Sequence, residues 1–503
     1  MKKIIIISII SCTLTGAVWA QSSDDAMLFS RNYSGGTARS VGMSGAFGAI
    51  GGDLSVLSTN PAGLAVYRGS EFTFTPGLVF TSTNAKYDGT FNDKNTHFII
   101  NNIGYVYTKN LYNEKGLQSV NFGISYNRLS DFYSDTYVRK AKATTSMLDE
   151  FVYYGNGLDD GLGYRPSEEL SAFYEGLAWG TYAINFDDTK QEYFSEYNNR
   201  GYGQPLYRSM STRGGVGEYD FSIGLNINHT IFWGATLGFQ DIYFRDYYYH
   251  EENPGFEHMR YFNFSDEYSV NGVGLNFKTG IIYRPFQMLR LGAAIHTPTY
   301  IWMRPYQWTG MSTSWNTLPA EDESNPIYLD AESDPSEKYR LSTPWRYHIS
   351  AATVLGTIGV IDVDMEIVDY SSCHIFPKSI YDIENGDISK YLKTAVNVKG
   401  GAEIRLGPLY LRGGIAYYGN PYAVRDDYST EYKNTLKSTM SYSGGIGFRA
   451  RSFYMDVAYL FMKQPERFNK LYMTYNDTRG AWEEQVKLQT KSNKLLVTFG
   501  FRL

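Results

Sequence analysis

The chain has 503 residues, with 45 Tyr, 29 Phe, 8 Trp and 49 Gly against only 2 Cys, and a formal net charge of -6. Both charge signs are plentiful and no block of Lys or Arg occurs, which argues against nucleic-acid binding, and two cysteines cannot make a disulfide scaffold. Many aromatics with abundant Gly suit a large antiparallel β structure, in which aromatics fit the pleated surface and Gly supplies turns.

Residues 1–20 read as a cleaved signal peptide. Lys2 and Lys3 form a charged start, Ile4 to Leu14 an apolar run, and Val18-Trp19-Ala20 a small-residue cleavage site before Gln21. Cleavage there leaves Cys373 as the one remaining thiol. Beyond residue 20 no stretch of about eighteen apolar residues follows, which excludes helical membrane spans. A transmembrane barrel stays open, because each of its strands carries a weak hydropathy signal.

Residues 21–68 do not alternate. Gly42 to Asp53 is rich in glycine and small residues, Asp53 is a good N-cap for a short helix over Leu54 to Leu57, and Asn60-Pro61 breaks that helix. This composition predicts a compact, irregular plug with close backbone contacts. A nucleotide-binding loop would need Lys-Ser/Thr after the glycines and a strand before them, and neither is present.

From residue 69 onward the period is two. Fourteen segments read as strands: 69–85, 95–109, 118–138, 217–229, 231–248, 269–284, 288–298, 344–356, 358–370, 394–406, 408–419, 438–450, 452–463 and 492–503. The last is the clearest: Leu495, Val497, Phe499, Phe501 and Leu503 alternate with Leu496, Thr498, Gly500 and Arg502. The opposite face of the strands is small and mixed in charge, which suits an aqueous lumen. Six links are short (Asn110 to Gln118, Asn228 to Ile231, Pro285 to Gln287, Thr357, Gly407 and Arg451), and long links alternate with them, the longest being 139–216. That is the pattern of an all-β, up-and-down antiparallel membrane barrel with short periplasmic turns. Within 139–216, Pro166 before Ser167 to Phe173 is a plausible helix start that could cap the outer mouth.

Pro76 interrupts the first strand. Pro cannot donate to a ladder, so it marks either a bulge near the rim or a gap in the wall offering lateral exit. Arg284, Arg290, Arg405, Arg412 and Arg449, with Arg502 at the end, fall beside the short turns on the inward parity. They are candidate ligand or hatch contacts in the lumen, since Arg suits bidentate carboxylate pairing. The alternative is pairing with Asp362, Asp364, Glu366, Glu403 and Asp456, because unpaired buried charge is costly. Asp362, Asp364 and Glu366 could also ligate Ca²⁺, although lumen salt bridges explain them better. His250 and His258 share a loop and raise haem capture. Tyr243, Tyr247, Tyr248 and Tyr249 suit an interfacial aromatic girdle. No catalytic set is suggested, so no enzyme, cofactor or resident metal is expected.

Gly45-Ala46-Phe47, Asp53 with Ser58 to Gly63, and above all Asn60-Pro61-Ala62 resemble the FadL/TodX family of outer-membrane transporters for long-chain fatty acids and aromatic hydrocarbons. Tyr283-Arg284-Pro285, Leu289 to Ala293 and Gly401-Ala402-Glu403 resemble its strand-turn patterns. The resemblance implies a monomeric fourteen-stranded barrel (69–503) in the bacterial outer membrane. It implies that Asn60, Pro61 and Ala62 belong to an N-terminal hatch (21–68) inside the lumen. It implies passive uptake of hydrophobic small molecules, with outer-membrane lipid around the wall and no nucleic-acid partner. The competing class is a surface-exposed binding or adhesive barrel, haem capture included, acting through its long loops.

Overall fold

The structure is a computed structural model that describes residues 23–197, 201–255, 258–319, 324–334, 337–424, 437–476 and 480–503. The expected signal peptide lies outside the described residues. Fourteen antiparallel strands form the wall: β1 (Glu71–Tyr87), β2 (Gly89–Asn110), β3 (Leu117–Asp131), β4 (Leu206–Ile227), β5 (Ile231–Glu252), β6 (Met259–Tyr283), β7 (Leu289–His296), β8 (Arg346–Leu355), β9 (Gly359–Asp369), β10 (Thr394–Leu406), β11 (Leu409–Tyr418), β12 (Thr439–Arg449), β13 (Phe453–Lys463) and β14 (Gly480–Arg502). Each pairs with its neighbour in sequence. β1 pairs with β14 from Glu71↔Arg502 to Lys86↔Lys487, which closes the cylinder and leaves the wall no free edge.

Alternation sets which face is which. On β14, Leu495 and Phe501 are exposed while Leu496 and Thr498 are fully buried. Phe122 and Ile124 on β3, Leu237 and Phe239 on β5, Phe277 and Ile281 on β6, and Ile361 and Val363 on β9 continue an exposed apolar belt. A monomer in water would not leave so continuous an apolar surface uncovered; it is the lipid-facing band of a membrane wall. A one-residue slip in any strand would turn that band inward, so the pattern fixes the register.

All six short turns lie on one side, as expected. The turn after β4 places Asn228 and His229 in the left-handed region, at φ 55° and 53°. Asn tolerates that conformation well. The outer side departs from the expectation in four ways, the first being that β14 begins at Gly480 instead of 492, its outer half paired with a further strand over Arg467–Asn476. β1 and β2 join through Asp88 alone, with Tyr87 paired to Gly89, so no long loop lies there. Residues 206–216, expected within the longest link, are the outer half of β4. β7 breaks at 297–299 and resumes as Tyr300–Trp315 against the outer half of β6, inside a segment expected to be loop. These outer extensions pack against protein or meet water on both faces. They therefore lose the clean apolar alternation that revealed the membrane portion.

The N-terminal segment fills the bore. It comprises α1 (Ser23–Ser30), α2 (Ala38–Val41) and two 3₁₀ turns, Leu54–Ser58 and Pro61–Val66. Asp53 caps the first 3₁₀ turn by accepting from Ser55 N, as its position in the sequence suggested. Asn60 does more than end that turn, because its side chain caps the second by accepting from Ala62 N. The wall meets this hatch with glycines. A Cβ on Gly224 would lie 2.7 Å from Ala65 N, one on Gly123 2.8 Å from Leu57 Cδ2, and one on Gly401 2.7 Å from Met43. A Cβ on Gly234 or Gly414 would collide with the hatch backbone at Pro61 or Met43. Main chain therefore lies directly on main chain. Gly234→Val should destabilise the folded barrel by about 1–3 kcal/mol through overpacking. Gly413→Ala, whose Cβ meets nothing within 4 Å, should leave the thermal unfolding midpoint unchanged. Equal midpoints for the two variants would show that the hatch is not seated on these glycines.

Candidate functional site

Two features define the lumen: a latch that fixes the hatch, and a cavity between the hatch and an outer cap. The latch centres on Glu403 of β10. Its Oε1 accepts from Arg39 Nη2 at 2.8 Å and its Oε2 from Arg39 Nε at 2.9 Å, a bidentate pair between wall and α2. Arg412 of β11 donates through Nε to Glu403 at 2.6 Å and through Nη1 to Asp456 of β13 at 2.7 Å. Arg449 of β12 donates to the other Asp456 oxygen at 2.8 Å. On the neighbouring arc, Asp364 of β9 accepts from Phe47 N at 2.9 Å and Gly48 N at 3.0 Å, and Asp362 accepts from Ala49 N at 3.3 Å. Asn121 of β3 donates to Leu64 O at 2.6 Å. Asn60 donates to Gly48 O at 2.7 Å, tying the two halves of the hatch together. Pro61 and Ala62 lie beside it against Gly234.

The sequence-derived arginines thus part company. Arg412 and Arg449 pair with lumen carboxylates, and Arg290 donates to the hatch carbonyl of Ile50. Arg502 lies 3.7 Å from Glu71. Arg284 lies over the Phe232 ring at 5.9 Å. Arg405 is exposed and donates to Gly407 O of its own turn at 3.2 Å; two residues from the turn, its inward parity no longer carries it into the bore. Asp362 and Asp364 hold hatch amides, and Glu366 takes Arg346 at 2.8 Å and Asn397 at 2.7 Å. Among the described residues no His, Cys, Asp or Glu cluster could hold a metal ion. His250 is fully buried and bonded to Glu252 at 2.9 Å whereas His258 is exposed, so the two do not form a haem site. Of the Tyr243 to Tyr249 group, Tyr243 is exposed in girdle fashion, while Tyr248 points inward to the cavity.

The cavity holds about 1920 Å³. Its floor is α1 and the residues after it, with Met27, Leu28, Arg31 and Tyr33 on the surface. Phe132 and Phe244 stand beside them, packed edge-on to each other at 5.6 Å and to Phe29 at 6.1 and 6.0 Å. Its roof is α3 (Leu148–Gly155) and α4 (Glu175–Gly180) with the loop between them, presenting Phe151, Tyr154, Leu170 and Phe173. Residues 167–169 make only a single 3₁₀ turn, and the helices of the cap lie on either side of the expected start. Four cations line the cavity with no ion pair among the described residues: Arg31, whose Nη2 donates to Thr439 Oγ1 at 3.2 Å, Lys494 of β14, Arg208 of β4, and the exposed Arg467 beyond β13. Arg208 is 3 % exposed, stacks on Tyr248 at 3.8 Å, and leaves its Nε unbonded. None of the four was singled out from sequence.

From the floor an apolar strip runs down one side of the lumen. Tyr33 and Met462, both on the cavity surface, join Leu460, Ala458, Val79, Ile99 and Leu496, with Ala38 and Val41 of α2 over them. The strip ends behind Pro76. There the β1–β2 register jumps from Thr75↔Asn102 to Pro76↔Ile100, and between Phe74↔Phe499 and Gly77↔Leu496 neither Thr75 nor Pro76 pairs with β14. Toward β2 the ladder continues past a one-residue bulge at Asn101, and toward β14 it is interrupted over Thr75 and Pro76. Thr75 and Thr498 bridge the interruption through their hydroxyls at 2.8 Å, and bulged Asn101 turns inward to donate to Gly36 O at 2.5 Å.

The latch predicts a split between two neighbouring arginines. Arg412→Ala removes the cation that Glu403 and Asp456 share, leaving them Arg39 and Arg449 alone, and should cost about 1.5–3 kcal/mol. Arg405→Ala should fall within about 0.5 kcal/mol of the parent. Denaturant midpoints of the purified barrels measure both, and an unshifted Arg412→Ala midpoint would dismiss the latch.

Among known proteins, no family model matches the chain and no curated protein matches it. Solved structures do. A Pseudomonas aeruginosa FadL homologue superposes with TM-score 0.52 at 12 % identity, over 94 % of this chain and 99 % of the other. The P. putida toluene transporter TodX gives the same four values. A TodX monoaromatic hydrocarbon channel lacking S2 gives 0.50 at 10 % identity, over 94 % and 100 %. The chain carries the hatch-filled fourteen-stranded fold of these barrels.

Proposed function

We propose that this protein is a bacterial outer-membrane transporter that takes up hydrophobic small molecules passively, of the kind typified by long-chain fatty acids and aromatic hydrocarbons. The observation that carries this reading is the continuity of apolar lining from the outer cavity, along Met462, Leu460 and Leu496, to the interrupted ladder at Pro76. A hydrophobic molecule captured under the cap meets apolar side chains at each stage, and at Pro76 only a few side chains separate it from the acyl chains outside. No chemical step is needed. Transfer from water to lipid is downhill at roughly 25 cal/mol per Å² of apolar surface, so the barrel has only to offer a path past the charged outer face of the membrane. The fold it shares with a toluene transporter and a FadL homologue supports the same reading.

The cavity cations add a polarity to this path. Arg31 and Lys494 stand at the head of the apolar strip and lack ion-pair partners among the described residues, so they suit the carboxylate of an amphiphile whose tail enters the strip. Purified barrel should bind oleate saturably, and Arg31→Ala and Lys494→Ala should each weaken it about tenfold, equivalent to roughly 1.4 kcal/mol. Pro76→Val restores an amide donor and should slow oleate uptake by cells without altering its affinity for purified barrel. An oleate affinity of zero, combined with large single-channel conductance for hydrophilic solutes in planar bilayers, would replace this reading with a general porin.

A further inference from the structure

The cap is fastened down by two buried carboxylates that face no Lys or Arg among the described residues. The turn leading into α3 is held at two points. Asp149 accepts from Ser146 N at 2.9 Å, from Thr474 Oγ1 at 2.9 Å and from Tyr202 OH at 3.0 Å. Glu252, at the outer end of β5, accepts from Met147 N at 2.7 Å and Gln204 Nε2 at 2.6 Å, with His250 Nε2 at 2.9 Å from the same carboxylate. Asp149 is 6 % exposed and Glu252 is fully buried. Both hold the same few residues, so the turn is trapped between two acids.

The charged groups packed around them are committed elsewhere. Lys470 pairs with Glu150 on the outer flank of α3 at 2.7 Å. Lys140 lies 3.4 Å from Glu484, which also accepts from Tyr87 OH at 2.8 Å. Arg208, the nearest cation on the strand side, donates to Leu471 O and stacks on Tyr248. The remaining titratable neighbours are His250 and phenols: Tyr202 on Asp149, Tyr197 beside Glu252, and Tyr472, which bonds Thr145 at 3.1 Å. A second buried carboxylate against the same turn, with no cation on either among the described residues, raises the cost of charging Asp149.

We propose that the cap is a proton-operated lid, closed over the cavity while Asp149 carries its proton and released when Asp149 is charged. The lid is separable from the identity of the cargo and extends the uptake reading only by controlling access to the cavity. Burial, with the Glu252 charge adding to it, pushes the Asp149 carboxyl up to about 7, against an ordinary value near 4 in an opened, solvated turn. The sign follows. The closed form binds the proton more tightly than the open form, so closure is strongest below about pH 4, weakens as pH rises between the two values, and is weakest above about pH 7. The cavity should therefore open toward the alkaline side.

Hydrogen exchange of residues 146–155 in the full barrel, embedded in lipid nanodiscs and corrected for intrinsic rates, tests this directly. Between pH 5.5 and 8.5 the open population should rise roughly tenfold or more. Asp149→Asn, which cannot ionise, should flatten that rise, and Glu252→Gln should reduce it, while Lys470→Ala should leave it intact. Retention of the heat-modifiable mobility of a folded barrel on gels certifies each variant. Equal protection of the wild-type segment at both pH values overturns the lid, whether or not the variants fold. So does an undiminished rise in folded Asp149→Asn. Oleate binding at pH 5.5 is measured in parallel; its absence would count against the uptake reading and leave the lid standing.

Discussion

Glu403 holds two guanidinium groups at once, Arg39 from the hatch and Arg412 from the wall, and Arg412 passes the connection to Asp456 and Arg449. The rest of the structure depends on this chain of charges. A barrel of fourteen strands encloses more space than its own side chains can fill, and a plug made of ordinary apolar residues would have to compete with a wall face that is polar by construction. The glycines on the inward face remove the side chains that would keep main chain from main chain, and the acids on neighbouring strands then find the hatch amides within bonding distance. Asp364 takes the amides of Phe47 and Gly48, which have no partner inside an irregular turn. Within this latch each buried charge is met by a charge or a fixed dipole, the condition under which burial is tolerable.

Much of this was legible from the sequence because the membrane imposes a strict rule on it. Where a strand is greasy outside and small or polar inside, period two survives, and all fourteen strands can be counted from it. The six short turns follow from the same counting. Above the bilayer the rule lapses. Residues 206–216 and 300–315 form regular strands without apolar alternation, since their outward faces meet water and their inward faces meet the cap. The cap helices escaped for a related reason: Leu148–Gly155 buries Leu148 and Phe151 against the tops of distant strands, a tertiary dependence that no local pattern announces.

The candidate site was less legible than the fold. Parity placed Arg412 and Arg449 inward, where they are, but could not tell that Arg405 sits too near its turn to stay there. It also offered the acids as partners for those arginines, as Glu403 and Asp456 are, but did not show that Asp362 and Asp364 would hold hatch amides. Arg39 is the one charge inside a small-residue segment and the partner that those acids required. A lone cation among glycines was the available signal. Arg31, Arg208 and Lys494 carried no such signal, because their importance comes from lacking partners, and a missing partner is a property of the folded arrangement alone.

The contrast between paired and unpaired charge bears on the direction of traffic. A route straight through the bore would have to part Arg39 from Glu403, strip the amides of Phe47 to Ala49 from Asp362 and Asp364, and lift the hatch off wall glycines along several strands. Those costs fall together, because the groups share one body, and a broken buried pair alone costs about 3–5 kcal/mol. A sideways route asks for less. At Thr75 and Pro76 the wall has given up its pairs with β14 while keeping those with β2, the bridging groups are two hydroxyls, and the surrounding side chains are apolar, so a hydrophobic molecule replaces lipid or protein contacts with contacts of the same kind. Under the proposed uptake function, these costs leave a stationary hatch with passage around its edge as the cheaper route, and the tight seating of the plug would direct the molecule toward the wall.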